Sequence, residues 1–298
     1  MSKLRRIVVG YNFLPDGEVA FHSARILAEQ AHAMLYVLHV VEPSPIFEQK
    51  PTPTPPALTP LEAILGNVRE QLRALAATPE LARLHVTTNV HTGKPFVELI
   101  RECHRWSGDL IVVGVSEQGT GRFLGSTAER VLRKAPVPVL IAKRLLTSGP
   151  KTLLIPTDFS ACSQAAAHEA LALVQTFGGR VVFLHVMESY YLYPPAYGVA
   201  PDLTHVSPDV FEASWQEFLH DLPLGGGLKW EKQTREGRTA EIITNVAAEI
   251  GADLIVMGTH GRTGLPHLLL GSVAEKVVRL SACSVLTVRP SAFRFELP

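Results

Sequence analysis

Four segments of this chain occur twice, in the same order, about 146 residues apart. Leu35-Tyr-Val-Leu-His39-Val40-Val-Glu42 returns as Val181-Val-Phe-Leu-His185-Val186-Met-Glu188. Asp109-Leu-Ile-Val-Val-Gly114 returns as Asp253-Leu-Ile-Val-Met-Gly258. Leu124-Gly-Ser-Thr-Ala-Glu-Arg-Val131 returns as Leu270-Gly-Ser-Val-Ala-Glu-Lys-Val277, and Val137-Pro-Val-Leu-Ile-Ala142 as Cys283-Ser-Val-Leu-Thr-Val288. Such a chain is two tandem copies of one domain, residues 1–146 and 150–298, joined at the turn-forming Leu146-Thr-Ser-Gly-Pro150. A length of 298 residues suits two domains of ordinary size.

Each copy alternates strand and helix. In the second, Leu153–Pro156, Arg180–Met187, Leu228–Glu236, Asp253–Met257 and Ser284–Arg289 read as strands. Ser163–Phe177, Phe211–Leu222, Ala240–Ile250 and Ser272–Leu280 read as the helices between and after them. Strands that are apolar throughout, separated by helices, indicate a parallel sheet covered on both faces. With right-handed crossovers, the fold class is a doubly wound α/β sandwich, present twice.

Two stretches interrupt the pattern. Pro43–Pro60 holds seven prolines, which excludes regular structure, and Ser189–Pro208 holds four tyrosines and four prolines. Both follow a second strand at its carboxyl end, the edge where open α/β sheets bind ligands. They read as lids or as plain surface connections.

Charge and cysteine usage narrow the function classes. The 28 basic and 28 acidic side chains cancel, which argues against a dedicated nucleic-acid binder. Residues 1–145 hold 17 basic and 13 acidic side chains and residues 146–298 hold 11 and 15, an asymmetry that favours packing of the halves or reflects drift of surface charge. Cys103, Cys162 and Cys283 are far apart and form no metal-ligand or disulfide spacing; they read as buried hydrophobes in a reducing compartment. No apolar run approaches the ~20 residues of a membrane span. The N-terminus carries only Ile-Val-Val after its basic residues, too short for a signal peptide, and reads as the first strand of a cytoplasmic protein.

The stretch richest in chemistry is Gly258-Thr-His260-Gly261-Arg262-Thr-Gly264-Leu-Pro-His-Leu-Leu-Leu-Gly271-Ser272. It leaves the fourth strand of the second copy and ends at a helix start. Glycine permits close backbone approach, and N–H groups at a helix start, with the helix dipole behind them, favour an anion. Ser272 adds a hydroxyl donor. Composition leaves two readings open, a phosphate cradle and a turn that only reverses the chain.

The spacing Gly-x2-Gly-x9-Gly-Ser after an Asp-Leu-Ile-Val-Met strand resembles the universal stress protein family. Ile155-Pro-Thr-Asp158-Phe-Ser160, Leu-His185-Val186 and Ser284-Val-Leu-Thr-Val288 agree, so the resemblance covers nearly the whole chain as two copies. It implies a five-stranded parallel sheet of order 3-2-1-4-5 and ATP as ligand, with ADP or AMP, and Mg²⁺ carried with ATP, left open. It places Pro156, Thr157 and Asp158 by the adenine or ribose and Val186 on the adenine through its main chain. Gly258, Gly261, Gly271 and Ser272 hold the phosphates, Val273 supplies a helix N–H, and His260 and Arg262 lie inside the loop. Arg262 reads as a phosphate cation or a solvated one, His260 as an uncharged loop residue. His185, in an apolar strand, reads as a hydrogen-bonded core histidine.

The first copy departs from that pattern. Its loop, Gly114-Val-Ser-Glu117-Gln-Gly-Thr-Gly121-Arg-Phe-Leu-Gly125-Ser126, is two residues shorter and puts Glu117 in place of the second glycine. Asn12 replaces the aspartate. Asn12, Gly114, Gly125 and Ser126 remain as a weaker candidate set, and the first half is expected to bind ATP weakly or not at all.

Three functions compete. The leading one is an ATP-binding stress-response protein that uses the bound nucleotide for regulation or partner choice. The second is a slow ATP hydrolase; no Gly-x4-Gly-Lys-Ser/Thr is present and no pair of carboxylates flanks the loop, so fast catalysis is not supported. The third is an adaptor without nucleotide. A dinucleotide site is excluded because the glycine loop follows the fourth strand, not the first. The fifth strands, Val137–Ala142 and Ser284–Val288, are apolar and β-prone, and are expected to pair within the chain, with Pro138 tolerated at an edge. Association of two chains is left open; neither membrane nor nucleic acid is expected as a partner.

Overall fold

The computed structural model describes residues 4–43, 59–115, 124–188, 208–261 and 270–289. The chain divides between Gly149 and Pro150 into two compact units. The first runs β1 (Arg6–Gly10), α1 (Pro15–Ala31), β2 (Met34–Val41), α2 (Pro60–Ala76), a 3₁₀ turn (Pro79–Leu81), β3 (Val86–Thr92), α3 (Pro95–Arg105), β4 (Leu110–Gly114), α4 (Ser126–Lys134) and β5 (Val139–Ala142). The second runs β6 (Thr152–Pro156), α5 (Ala161–Phe177), β7 (Arg180–Met187), α6 (Pro208–His220), β8 (Lys229–Glu236), α7 (Thr239–Glu249), β9 (Leu254–Gly258), α8 (Ser272–Leu280) and β10 (Ser284–Val288).

Within the first unit the strand order is β3-β2-β1-β4-β5, and within the second β8-β7-β6-β9-β10, all parallel. This is the doubly wound fold expected from the sequence and the 3-2-1-4-5 order that the family resemblance implies. The registers correspond: Arg6 faces Met34 and Thr152 faces Arg180. Ile7, Val8, Val9, Leu153, Leu154 and Ile155 are fully buried, as central parallel strands with helices on both faces must be. β8 is exposed along most of its length, which matches its charged composition and its place at the end of its unit's strand order.

One expectation needs correction. Pro60 and Pro208 do not belong to irregular segments; each is the first residue of a helix, α2 and α6. A proline at that position gives up only an N–H that the helix leaves unpaired anyway. At α2, Thr59 and Glu62 complete a reciprocal capping box. Pro138 directly precedes β5, and its carbonyl accepts from Ile111 N at 3.1 Å, a bond that needs no donor from the proline. The interiors of the proline-rich and tyrosine-rich stretches lie outside the described residues. Cys103, Cys162 and Cys283 are buried thiols, none in a disulfide. Among the described residues no helix is long and apolar enough to cross a membrane.

Candidate functional site

The carboxyl end of β6 is a tight, fully specified turn. Thr157 N donates to Leu184 O at 2.8 Å, the last bond of the β6–β7 ladder. The chain then leaves the sheet. Asp158 Oδ1 accepts from Ser160 N at 3.1 Å, and Thr157 Oγ1 accepts from Phe159 N at 2.9 Å. Phe159 is left-handed (φ 61°), a conformation that a bulky residue adopts only when its surroundings hold it there. Ser160 caps α5 by accepting from Ser163 N at 3.3 Å. Pro156 and Thr157 are buried beneath this turn, and Asp158 is half-buried at its crest.

Val186 lies two residues past Leu184 on β7. Main-chain groups two apart in a strand point the same way. Leu184 O points to β6, and Met187 O points to β8, where it accepts from Gly237 N at 3.0 Å. The N–H and C=O of Val186 therefore face the side on which β6 has ended.

Gly258 and Gly261 serve different purposes. A β-carbon on Gly258 would lie 2.8 Å from Cys162 Sγ and 3.0 Å from the Cys162 carbonyl, so this glycine exists to let α5 pack on β9. Gly114 plays the same part against Asp16 of α1. Gly261 is exposed, and a β-carbon there would lie 2.7 Å from Asp158 Oδ2. The loop thus approaches the Asp158 carboxylate through bare backbone. Between them, Thr259 is buried and its hydroxyl lies 2.8 Å from His260 Nδ1. Arg262 lies outside the described residues.

At the far end of the loop, Gly271 N donates to Thr259 O at 2.7 Å, and Gly271 opens α8 without a side-chain cap. The N–H groups of Ser272 and Val273 have no partner inside the helix, by the geometry of a helix start. An uncapped start of this kind, flanked by the exposed Ser272 hydroxyl, is suited to an anion. Arg289, just past β10, was not anticipated. Burial pulls its pKa down to about 10, with the neighbouring Cys162 opposing. The signal was available, since both copies place a basic residue, Lys143 and Arg289, directly after the fifth strand.

The first unit repeats the turn with other residues. Asn12 Oδ1 accepts from Leu14 N at 3.0 Å, and Phe13 is again left-handed (φ 57°). Asn12 Nδ2 donates to Asp16 Oδ2 at 3.1 Å. Tyr11 replaces Thr157, and its hydroxyl bonds Glu18; burial, then that carboxylate, raises its pKa. Asp16 and Glu18 put two carboxylates in the first turn of α1, where α5 has Cys162 and Gln164. Gly125 (φ 76°) and Ser126 open α4, again without a side-chain cap. Glu117 lies outside the described residues.

The universal stress protein family model matches residues 3–143 and again residues 150–289. The chain belongs to the universal stress protein family. Universal stress protein MJ0531 of Methanocaldococcus jannaschii is 36% identical over 143 residues, covering 47% of this chain and 82% of that protein. A universal stress protein of Mycolicibacterium smegmatis is 27% identical over 297 residues, covering 95% and 97% of the two chains. The crystal structure of a universal stress protein from Archaeoglobus fulgidus superposes with a TM-score of 0.69 over 97% of this chain and 99% of that one. At 20% identity the last likeness speaks for the fold alone. The family resemblance drawn from the glycine spacing is thus confirmed, for both copies.

Proposed function

We propose that the second half of this universal stress protein binds an adenine nucleotide, ATP in the first instance, and uses it for regulation rather than fast turnover. The observation that carries the reading is the facing of Gly261 and Asp158, with the Val186 main chain on one side and the uncapped start of α8 on the other. These residues fit the parts of a nucleotide. Val186 offers one N–H and one C=O to the base edge, Asp158 a carboxylate to ribose hydroxyls, and Ser272 and Val273 donors to phosphate oxygens. His260, Gly261 and Gly271 line the path between, Arg262 belongs to the same loop, and Arg289 supplies buried positive charge nearby. Mg²⁺ would travel on the triphosphate.

The first half is proposed to be a copy without nucleotide. Asp16 and Glu18 place negative charge where the second half is neutral, and Asn12 is held by Asp16. Its set of Asn12, Gly114, Gly125 and Ser126 keeps the turn and the helix start but not the complement to a phosphate. The apolar sequences of both fifth strands support pairing of the halves through them. An engineered cysteine pair across Val139–Ala142 and Ser284–Val288 would close under mild oxidation if they adjoin. The three buried thiols, none in a disulfide, support a reducing, cytoplasmic location.

The test is to denature freshly purified protein and quantify released nucleotide by chromatography. One ATP or ADP per chain supports a competent second half and a silent first. Two per chain overturns the silent first half. None, with no change in Tm on adding Mg-ATP, overturns the nucleotide reading in favour of an adaptor.

A further inference from the structure

We infer that His185 is a positioning residue for the ligand edge, holding the Thr157 carbonyl on one side of Asp158 and the Phe159 ring on the other. The inference rests on the nucleotide reading for one of its two readouts. Beyond Thr157 N the β6 ladder ends, and the Thr157 carbonyl accepts from His185 Nδ1 at 2.8 Å. Because a carbonyl only accepts, Nδ1 carries the proton in the neutral and the charged ring alike, so acidification does not release this bond. On the other side of Asp158, the Phe159 ring stacks on the same imidazole, with centroids 4.5 Å apart and planes 17° apart. Trp215 and Phe218 of α6 meet Phe159 edge-on at 5.1 and 5.8 Å and are themselves buried. A left-handed Phe159 is strained, and this packing is what retains it. One imidazole therefore sets residues 157 and 159, and with them the direction in which Asp158 points at Gly261.

The first unit contains a related grip, with the rings tilted by 46° instead of stacked. His39 Nδ1 lies 2.7 Å from Tyr11 O, and its ring lies 5.1 Å from that of Phe13, which is also left-handed. The gripped residue there is Asn12. The device thus belongs to the turn and not to the acid it presents. The sequence reading of His185 as a hydrogen-bonded histidine is met by the bond to the Thr157 carbonyl; the partner and the stacked Phe159 ring were not legible from the strand.

The test compares His185→Asn, His185→Gln and His185→Phe in the full chain. Asparagine carries an N–H at the reach of Nδ1, glutamine at the reach of Nε2, and phenylalanine keeps the stack without a donor. Kd for ATP is measured by calorimetry, and amide hydrogen exchange of Phe159 and Ser160 is measured without nucleotide. H185N is expected within about threefold of the parent Kd, and H185Q and H185F weaker by about tenfold or more with faster exchange at both amides. His39→Phe is expected to leave the Kd for ATP unchanged. If H185F fails to fold, the asparagine–glutamine pair decides. Equal Kd and equal exchange for H185N and H185Q would overturn the inference. If the parent does not bind ATP but exchange separates those two variants, the nucleotide reading fails and the grip stands. If the parent binds ATP and the variants match it, the grip fails and the nucleotide reading stands.

Discussion

Asp158 and Gly261 face each other at the carboxyl edge of the second unit's sheet, with Oδ2 of the aspartate 2.7 Å from where a β-carbon on the glycine would stand. Gly261→Ala therefore displaces the carboxylate rather than any backbone. Because Gly261 is exposed, unfolding free energy should change by less than about 0.5 kcal/mol. Affinity for ATP should fall about tenfold by calorimetry. Unchanged affinity would remove Asp158 from the binding set.

Gly258 should behave oppositely, although it stands three positions away in the same motif. A methyl group there meets the Cys162 main chain, which cannot swing aside. Overpacking of this kind costs about 1–3 kcal/mol. Denaturant unfolding of Gly258→Ala should show that loss in the second unit. A fully stable Gly258→Ala would mean that α5 and β9 separate more easily than their contact implies.

Asp158→Asn should keep the turn and lose the ligand. Asn12 already makes the corresponding bond at 3.0 Å, against 3.1 Å for Asp158. The expected result is stability within about 0.5 kcal/mol of the parent and weaker ATP binding. Equal affinity would show that a carboxylate is not required.

His39 links the first unit to pH. Burial lowers its pKa below the ordinary 6.5, and its bond to the Tyr11 carbonyl opposes that shift. Below about pH 6.5 the unfolded chain takes up a proton that the folded chain refuses. Stability is therefore complete above that pH and declines as pH falls toward the folded value. Unfolding at pH 7.5 and 5.5 should show a larger loss for the parent than for His39→Asn; equal losses would contradict the burial argument.

Cys103 should be chemically silent. Burial pushes its thiol up to about 12, Asp109 adds to the shift, and the Gly108 main chain opposes it in part. Only the thiolate is alkylated. Iodoacetamide at pH 8.5 should leave Cys103 unmodified in the folded protein and modify it in denaturant, as read by mass spectrometry. Rapid modification of the folded chain would require opening of α3.

Much of this architecture was legible because its causes are local. Ile-Val-Val, Leu-Ile-Val and Leu-Leu-Ile runs between amphipathic segments leave little besides a covered parallel sheet, and the repeat doubles every such inference. The starts of α2 and α6 were missed because Pro60 and Pro208 end proline-rich stretches. A helix-starting proline and a helix-excluding one are the same residue, distinguished only by the dozen residues on its carboxyl side.

The sequence by itself determined the two-copy organisation, the strand and helix alternation, the family, and which copy keeps the glycine loop with its aspartate. These depend on residue type and spacing along the chain. Only the tertiary structure separated Gly258, which makes room for α5, from Gly261, which makes room for Asp158, since each glycine's duty is set by the group that stands opposite it. It alone showed His185 holding Thr157 and Phe159 from the neighbouring strand, 28 residues away along the chain. It also placed the buried charge of Arg289 beside Cys162. Contacts of this kind arise where strand ends converge, and no pattern confined to one stretch of chain encodes them.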